Sequence, residues 1–138
     1  MYIPKYFSLN EFLRSYTATK YGIDNVPTFR HLENILRMCE LVLDNTRMQL
    51  DKPILITSGY RCIELNRKVG GSASSQHLNG CAVDLQCYDL DKLFDILKTN
   101  PNIDQLLYEQ KCGTKWIHVS IPLKGNKPRR YINEKYIV

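Results

Sequence analysis

The sequence predicts an α+β domain built on a small, mainly antiparallel sheet with helices packed against one face. Three observations carry this. Apolar residues recur at helical spacing over residues 28–48, four separate runs are rich in β-branched and aromatic residues, and the later runs are joined by connections too short for parallel crossovers. At 138 residues, with 43% apolar and 24% charged residues, the chain is read as one domain over 1–138 with enough core to fold unaided.

The elements follow in order. Ser8 and Glu11 form a capping-box signature that opens a short helix through Phe12 and Leu13. A polar stretch with Gly22, Asp24 and Asn25 leads to Pro27, and then Leu32, Ile35, Leu36, Cys39, Val42 and Leu43 mark the long helix. ILITS after Pro53 reads as a strand, GYR turns the chain, and Cys62 to Val69 reads as a short helix. GGSASSQ is a loop too short and too well framed to link domains. CAVDLQ is a second strand, and Leu90, Leu93, Phe94 and Leu97 stripe a second substantial helix that ends near Asn100-Pro101. QLLYE and KWIHVSI are two further strands about a turn at Gly113, and RRYINEKYIV supplies a final edge strand.

Composition narrows the function classes. No apolar run is long enough for a membrane-spanning helix, and the N-terminal MYIPKYFSLNEFL has no signal-peptide pattern, so the chain is expected to be cytoplasmic as synthesised. Action on an extracellular target then requires lysis or export by another route. Cys39, Cys62, Cys81, Cys87 and Cys112 are odd in number and contain no CxxC pair, which argues against a thiolate metal site and a disulfide framework. They read as small buried or half-buried thiols. The formal charge of +5 gathers locally at Lys124, Lys127, Arg129 and Arg130, but no aromatic-basic interleaving or reading helix accompanies it. No specific nucleic-acid partner and no membrane insertion are expected, and the oligomeric state is not legible.

The residues fit for chemistry lie on two strands. In CAVDLQ, Cys81, Val83 and Leu85 face one way and Ala82, Asp84 and Gln86 the other; in WIHVSI, Trp116, His118 and Ser120 share the face opposite Ile117, Val119 and Ile121. An acid in the middle of a sheet is costly unless something cationic receives it. If the strands are neighbours, Asp84 meets His118, and His77, at the end of the Gly/Ser loop, turns over the same face. Two imidazoles and one carboxylate make a zinc set with a fourth position for water. Taken singly, His77 also suits a loop histidine, His118 a strand histidine paired to Asp84, and His31 a structural or exposed role.

SSQHLNGCAVDL, with TSGYR before it and KWIHVS after it, resembles the zinc D-Ala-D-Ala carboxypeptidase family of metallopeptidases (peptidase family M15), which includes small phage endolysin-like peptidases. The family's S-x-H-x-x-G-x-A-x-D segment is matched by Ser75, His77, Gly80, Ala82 and Asp84, and its W-x-H segment by Trp116 and His118. The resemblance implies the zinc D-Ala-D-Ala carboxypeptidase/hedgehog-like fold and one Zn2+ held by His77, Asp84 and His118. It also implies hydrolysis of peptide bonds in peptidoglycan stem peptides or cross-links, as a D-amino-acid carboxypeptidase or an endopeptidase. The arginine of the family's SGYR-like segment carries over to Arg61, whose guanidinium suits an oxyanion or a substrate carboxylate; a salt bridge closing the turn is the alternative. Ser75 suits a ligand- or substrate-orienting role or a loop cap, and Trp116 a groove wall or a packing aromatic.

One position departs from the family. Many members place an acid three residues before the last zinc histidine, where this chain has Lys115. The expected general base is Glu109, brought across from the metal if QLLYE and KWIHVS form a hairpin, with Asp104 as fallback. Neutral imidazoles are needed for ligation, so activity is expected to fall below roughly pH 6. The alternative is a non-catalytic metal-binding, wall-binding or assembly module that keeps the peptidase fold.

Overall fold

The structure is a computed structural model that describes residues 1–137. Helices α1 (Leu9–Leu13), α2 (Tyr16–Tyr21), α3 (Phe29–Met38) and α4 (Asp44–Leu50) precede the first strand, β1 (Leu55–Ser58). Then follow α5 (Ile63–Lys68), a 3-10 turn (Gln76–Asn79), β2 (Ala82–Gln86), α6 (Leu90–Lys98), β3 (Gln105–Lys111), β4 (Thr114–Ser120) and β5 (Tyr131–Ile137).

The expected capping box at Ser8 and Glu11 opens α1. The long helix is present as α3 and α4 joined without a break by a π-helical segment, Cys39–Leu43. Its stripe of Ile35, Met38, Cys39, Val42 and Leu43 is buried with Leu93, Phe94 and Leu97 of α6 against one face of the sheet. Helix α2 was not expected. YTATKY has no apolar period, and its ends are set instead by the Ser15 side chain, which accepts from Ala18 N, and by Gly22 in the left-handed region. Helices α2 and α5 share a small separate cluster of Ala18, Ile23 and Leu65.

The five strands run in the order β1-β2-β4-β3-β5. All neighbours are antiparallel except β3 and β5, so the expected C-terminal edge strand is present and parallel to its neighbour. The β3–β4 hairpin turns through Cys112 and Gly113, both at positive φ. As the alternation predicts, Cys81, Val83, Leu85, Ile117, Val119 and Ile121 belong to the core. Asp84 pairs with His118 across β2 and β4, and Leu107 pairs with His118 across β3 and β4, so the polar face of β4 lies mid-sheet. Among the described residues no helix is long and apolar enough to cross a membrane. All five cysteines are unpaired; Cys39 and Cys81 are buried and Cys62 and Cys87 half-buried as expected, whereas Cys112 is exposed at the hairpin tip rather than buried or half-buried.

Candidate metal centre

Four segments converge on the open face of β2 and β4. β1 leaves the ladder through an irregularity between Ile56 and Ser58 and delivers Ser58, Gly59, Tyr60 and Arg61 to the site. This turn lies hard against α1: Tyr60 N donates to Phe12 O at 2.8 Å, and a Cβ on Gly59 would sit 2.5 Å from that same oxygen. Asn25 pins its far side, donating to Tyr60 O and accepting from Cys62 N. The 3-10 turn then fits over the strands. Its exit residue, Gly80, has φ +77°, and a Cβ there would approach His31 O to 2.7 Å, so only glycine suits the position.

His77 and the Arg61 turn hold each other. Arg61 N donates to His77 O at 3.1 Å, and His77 Nδ1 donates to Gly59 O at 2.7 Å. With Nδ1 committed to that carbonyl, Nε2 is the ring atom left to face Asp84, 3.3 Å from Oδ1. His118 Nδ1 lies 3.0 Å from the same oxygen. The side chains of His77, Asp84 and His118 are only 4%, 9% and 12% exposed. Burial by itself pushes the Asp84 carboxyl up, but the two imidazoles outweigh it and hold the acid well below the usual carboxylate range. It is therefore an anion between two imidazole nitrogens.

This donor set fits a zinc ion. Ligand atoms at about 2.0–2.1 Å from a tetrahedral metal lie about 3.3 Å from one another, and the three donor atoms here fall within 4.8 Å, with Asp84 Oδ1 at 3.3 and 3.0 Å from the two nitrogens. Among the described residues these three form the one such group. His31, expected to be structural or exposed, closes the capping box of α3 and packs on Tyr60, with ring centroids 4.7 Å apart and planes tilted by 32°.

A cleft of about 400 Å³ opens over this group, and Arg61, Ser75, Glu109 and Trp116 border it. Arg61 is 15% exposed and reaches Asp84 Oδ2 with Nη2 at 3.5 Å. Burial lowers its guanidinium from the usual value, opposed by Asp84 and Glu109. Ser75 caps the 3-10 turn, its hydroxyl accepting from His77 N at 3.2 Å, and also lines the cleft. Glu109 and Trp116 face each other across the hairpin, and Trp116 Nε1 donates to Glu109 Oε1 at 2.9 Å. Lys115 points to the other side of β4, with its ammonium 4.6 Å from the Tyr136 ring.

Asp104 is taken up elsewhere. Its carboxylate is 2% exposed and accepts from Arg129 N, Arg129 Nε and Nη2, and Gln76 Nε2. Arg129 thus anchors the segment entering β5 and also stands at the cleft, while Arg130 donates to the carbonyls of Lys98 and Ile103. Half of the local basic group is therefore a set of structural ties. Asn66, Gly71 and Gln76 were not singled out as site residues in the sequence, and Arg129 was named only as part of the basic group. The only local signal was the adjacent pair Gly70-Gly71, where backbone or contact restrictions concentrate.

Together these observations define a class: an open-sheet α+β protein with a buried two-histidine, one-carboxylate group able to hold a metal ion and facing a polar cleft. The chain belongs to the peptidase M15 family, whose model matches residues 5–120. No curated protein matches it.

Proposed function

We propose that the protein is a zinc-dependent hydrolase of peptide bonds in peptidoglycan stem peptides or cross-links, acting as a D-amino-acid carboxypeptidase or an endopeptidase. The observation that carries this reading is the meeting of His77 Nε2, Asp84 and His118 Nδ1 beneath a cleft that Glu109 and Arg61 also border. Family membership supports a peptide substrate, and the S-x-H-x-x-G-x-A-x-D segment supports the cell-wall class within it.

The three ligands would hold one Zn2+, which when bound lowers the pKa of water and polarises a carbonyl. Gly59 O keeps His77 in the tautomer that ligation needs, and the 3-10 turn holds the ring over Asp84. Glu109 is the general base: it takes the proton from the attacking water and returns it to the leaving amine. The Trp116 indole N–H steadies one oxygen of Glu109 and leaves the other for that transfer. Arg61, buried and charged, offers donors to the negative charge that develops on the substrate carbonyl oxygen, or to a substrate carboxylate. Ser75 and Trp116 form two walls of the substrate groove.

The test is release of new amines from purified peptidoglycan by zinc-loaded protein, with product masses recorded and Glu109→Gln run beside wild type. Zinc-dependent cleavage that falls by about 10²–10⁴ on substitution is expected, and the masses name the bond. A fully loaded wild type that releases nothing refutes the proposal and moves the weight to a wall-binding relative.

A further inference from the structure

Arg61 is held at every nitrogen of its guanidinium. Nε donates to Ser58 Oγ at 3.1 Å, Nη1 to Asn66 Oδ1 at 3.2 Å, and Nη2 reaches Asp84 Oδ2 at 3.5 Å. Ser58 belongs to the end of β1 and Asp84 to the metal group itself. Asn66 belongs to neither, lies on α5, and is 3% exposed. Nothing in the proposed chemistry uses it, yet a buried amide bonded through both its oxygen and its nitrogen is costly to disturb.

The orientation of that amide is determined by its other partner. Asn66 Nδ2 donates to Ser72 O at 2.9 Å, so Oδ1 must be the atom that faces Arg61. Gly71 N donates to Asn66 O at 2.8 Å, which folds the start of the Gly/Ser loop back over the end of α5. One side chain therefore joins α5, the arginine and the loop that leads to Ser75 and His77.

Gly71 shows how closely the parts fit. A Cβ at this position would lie 2.1 Å from Asn66 Oδ1 and 3.0 Å from Arg61 Nη1. Gly70, its neighbour, has φ +76° and open space around it, whereas Gly71 needs no left-handed backbone. Contact with the Asn66–Arg61 pair, not backbone conformation, is what requires glycine at 71.

We propose that Asn66 is a positioning residue: it sets the Arg61 guanidinium beside the metal group, and Gly71 is bare to leave room for that pair. The inference rests on the role given to Arg61 above. Without Asn66, Nη1 loses its partner and the long, rotamer-rich arginine is free to turn about the two remaining contacts. Misplacement of a charge-stabilising donor by an ångström can cost about a hundredfold in rate, while ground-state binding changes little.

The experiment uses zinc-loaded full-length protein with peptidoglycan stem peptides as substrate. Wild type, Asn66→Ala, Gly71→Ala, Arg61→Ala and the Asn66→Ala/Arg61→Ala double variant are compared by kcat and KM. The guanidinium itself is followed through the Arg61 Nε–H resonance and its exchange with solvent. Asn66→Ala and Gly71→Ala should each lower kcat by about ten- to a hundredfold with KM nearly unchanged. Both should lose the protected Nε–H, and Asn66→Ala should cost nothing further once Arg61 is gone. Gly71→Ala disturbs the same pair by contact while keeping Asn66, and the double-variant comparison with the Nε–H readout separates loss of the lock from a variant that merely folds poorly. The proposal is overturned if Asn66→Ala costs the same factor with and without Arg61, or if the Nε–H stays protected in both single variants. It is also overturned if Arg61→Ala leaves kcat intact, because the lock then has no catalytic target. A wild type that cleaves nothing defeats the peptidase reading alone, and the Nε–H comparison still decides whether Asn66 holds Arg61.

Discussion

Replacing Arg129 by alanine exposes how the edge of the sheet is held. Asp104, 2% exposed at the entry to β3, accepts from Arg129 Nε at 3.0 Å, Arg129 Nη2 at 2.6 Å, Arg129 N at 2.6 Å and Gln76 Nε2 at 3.0 Å. Arg129→Ala removes the guanidinium bonds and keeps the backbone N–H and Gln76. Breaking a fully buried ion pair costs about 3–5 kcal/mol. Here the arginine side chain is 61% exposed, so solvent screening and the two surviving donors reduce the expected loss to about 1.5–3 kcal/mol. At about 4 °C per kcal/mol for a chain of this length, the unfolding midpoint should fall by about 6–12 °C.

The pH dependence has a definite sign. Burial pushes the Asp104 carboxyl up, but the hydrogen bonds from Arg129 and Gln76 prevail and lower it from its ordinary value. A carboxyl lowered in the folded state binds fewer protons there than when unfolded. Its stabilisation is present above the unfolded value of about 3.9 and is lost as pH falls through the folded one. The gap between wild type and Arg129→Ala should be full at neutral pH and close below about pH 4. Thermal unfolding followed by circular dichroism at pH 7 and at steps down to pH 3 checks both parts. A gap under about 0.5 kcal/mol at pH 7, or one that does not narrow in acid, refutes the argument.

Two further outcomes follow from the site. Trp116→Phe keeps an aromatic ring in the wall but removes the N–H that meets Glu109 Oε1; one hydrogen bond to a charged group, about 1.5 kcal/mol, predicts a kcat about tenfold lower at nearly constant KM. Unchanged steady-state kinetics would separate Trp116 from the base. Zinc at about 100 times its dissociation constant should add about 2.7 kcal/mol of stability and raise the unfolding midpoint by about 10 °C, reversed by a chelator and smaller in acid as protons compete for the ligands. His77→Ala should abolish that shift, and a shift that survives the substitution places the metal elsewhere.

Much of the fold and the metal group was legible in the sequence because it is written in short-range periodicity. The spacing of Leu32, Ile35, Leu36, Cys39, Val42 and Leu43 marks a helix whatever surrounds it, although it could not announce the π-helical segment within it. Alternation alone puts Asp84 opposite Val83 and Leu85, and His118 opposite Ile117 and Val119. The chemistry of two imidazoles and an acid made them candidate ligands before their distances were known. Helix α2 escaped because it is held by its caps rather than by an apolar stripe.

The tertiary structure decided everything that depends on register and close approach. Asp84 and His118 are 34 residues apart and meet because β2 and β4 pair in that one register; a slip of one residue would turn one of them into the core. Asp104 and Glu109 are both acids on or beside one strand, five residues apart and alike in sequence, yet one is saturated by Arg129 and the other faces the cleft. Asn66 and Gly71 look like ordinary helix-end residues until Arg61 is packed against them. Periodicity says which way a side chain points along its own element, but which groups touch across elements is settled by long-range packing, where a few tenths of an ångström separate a hydrogen bond from a clash.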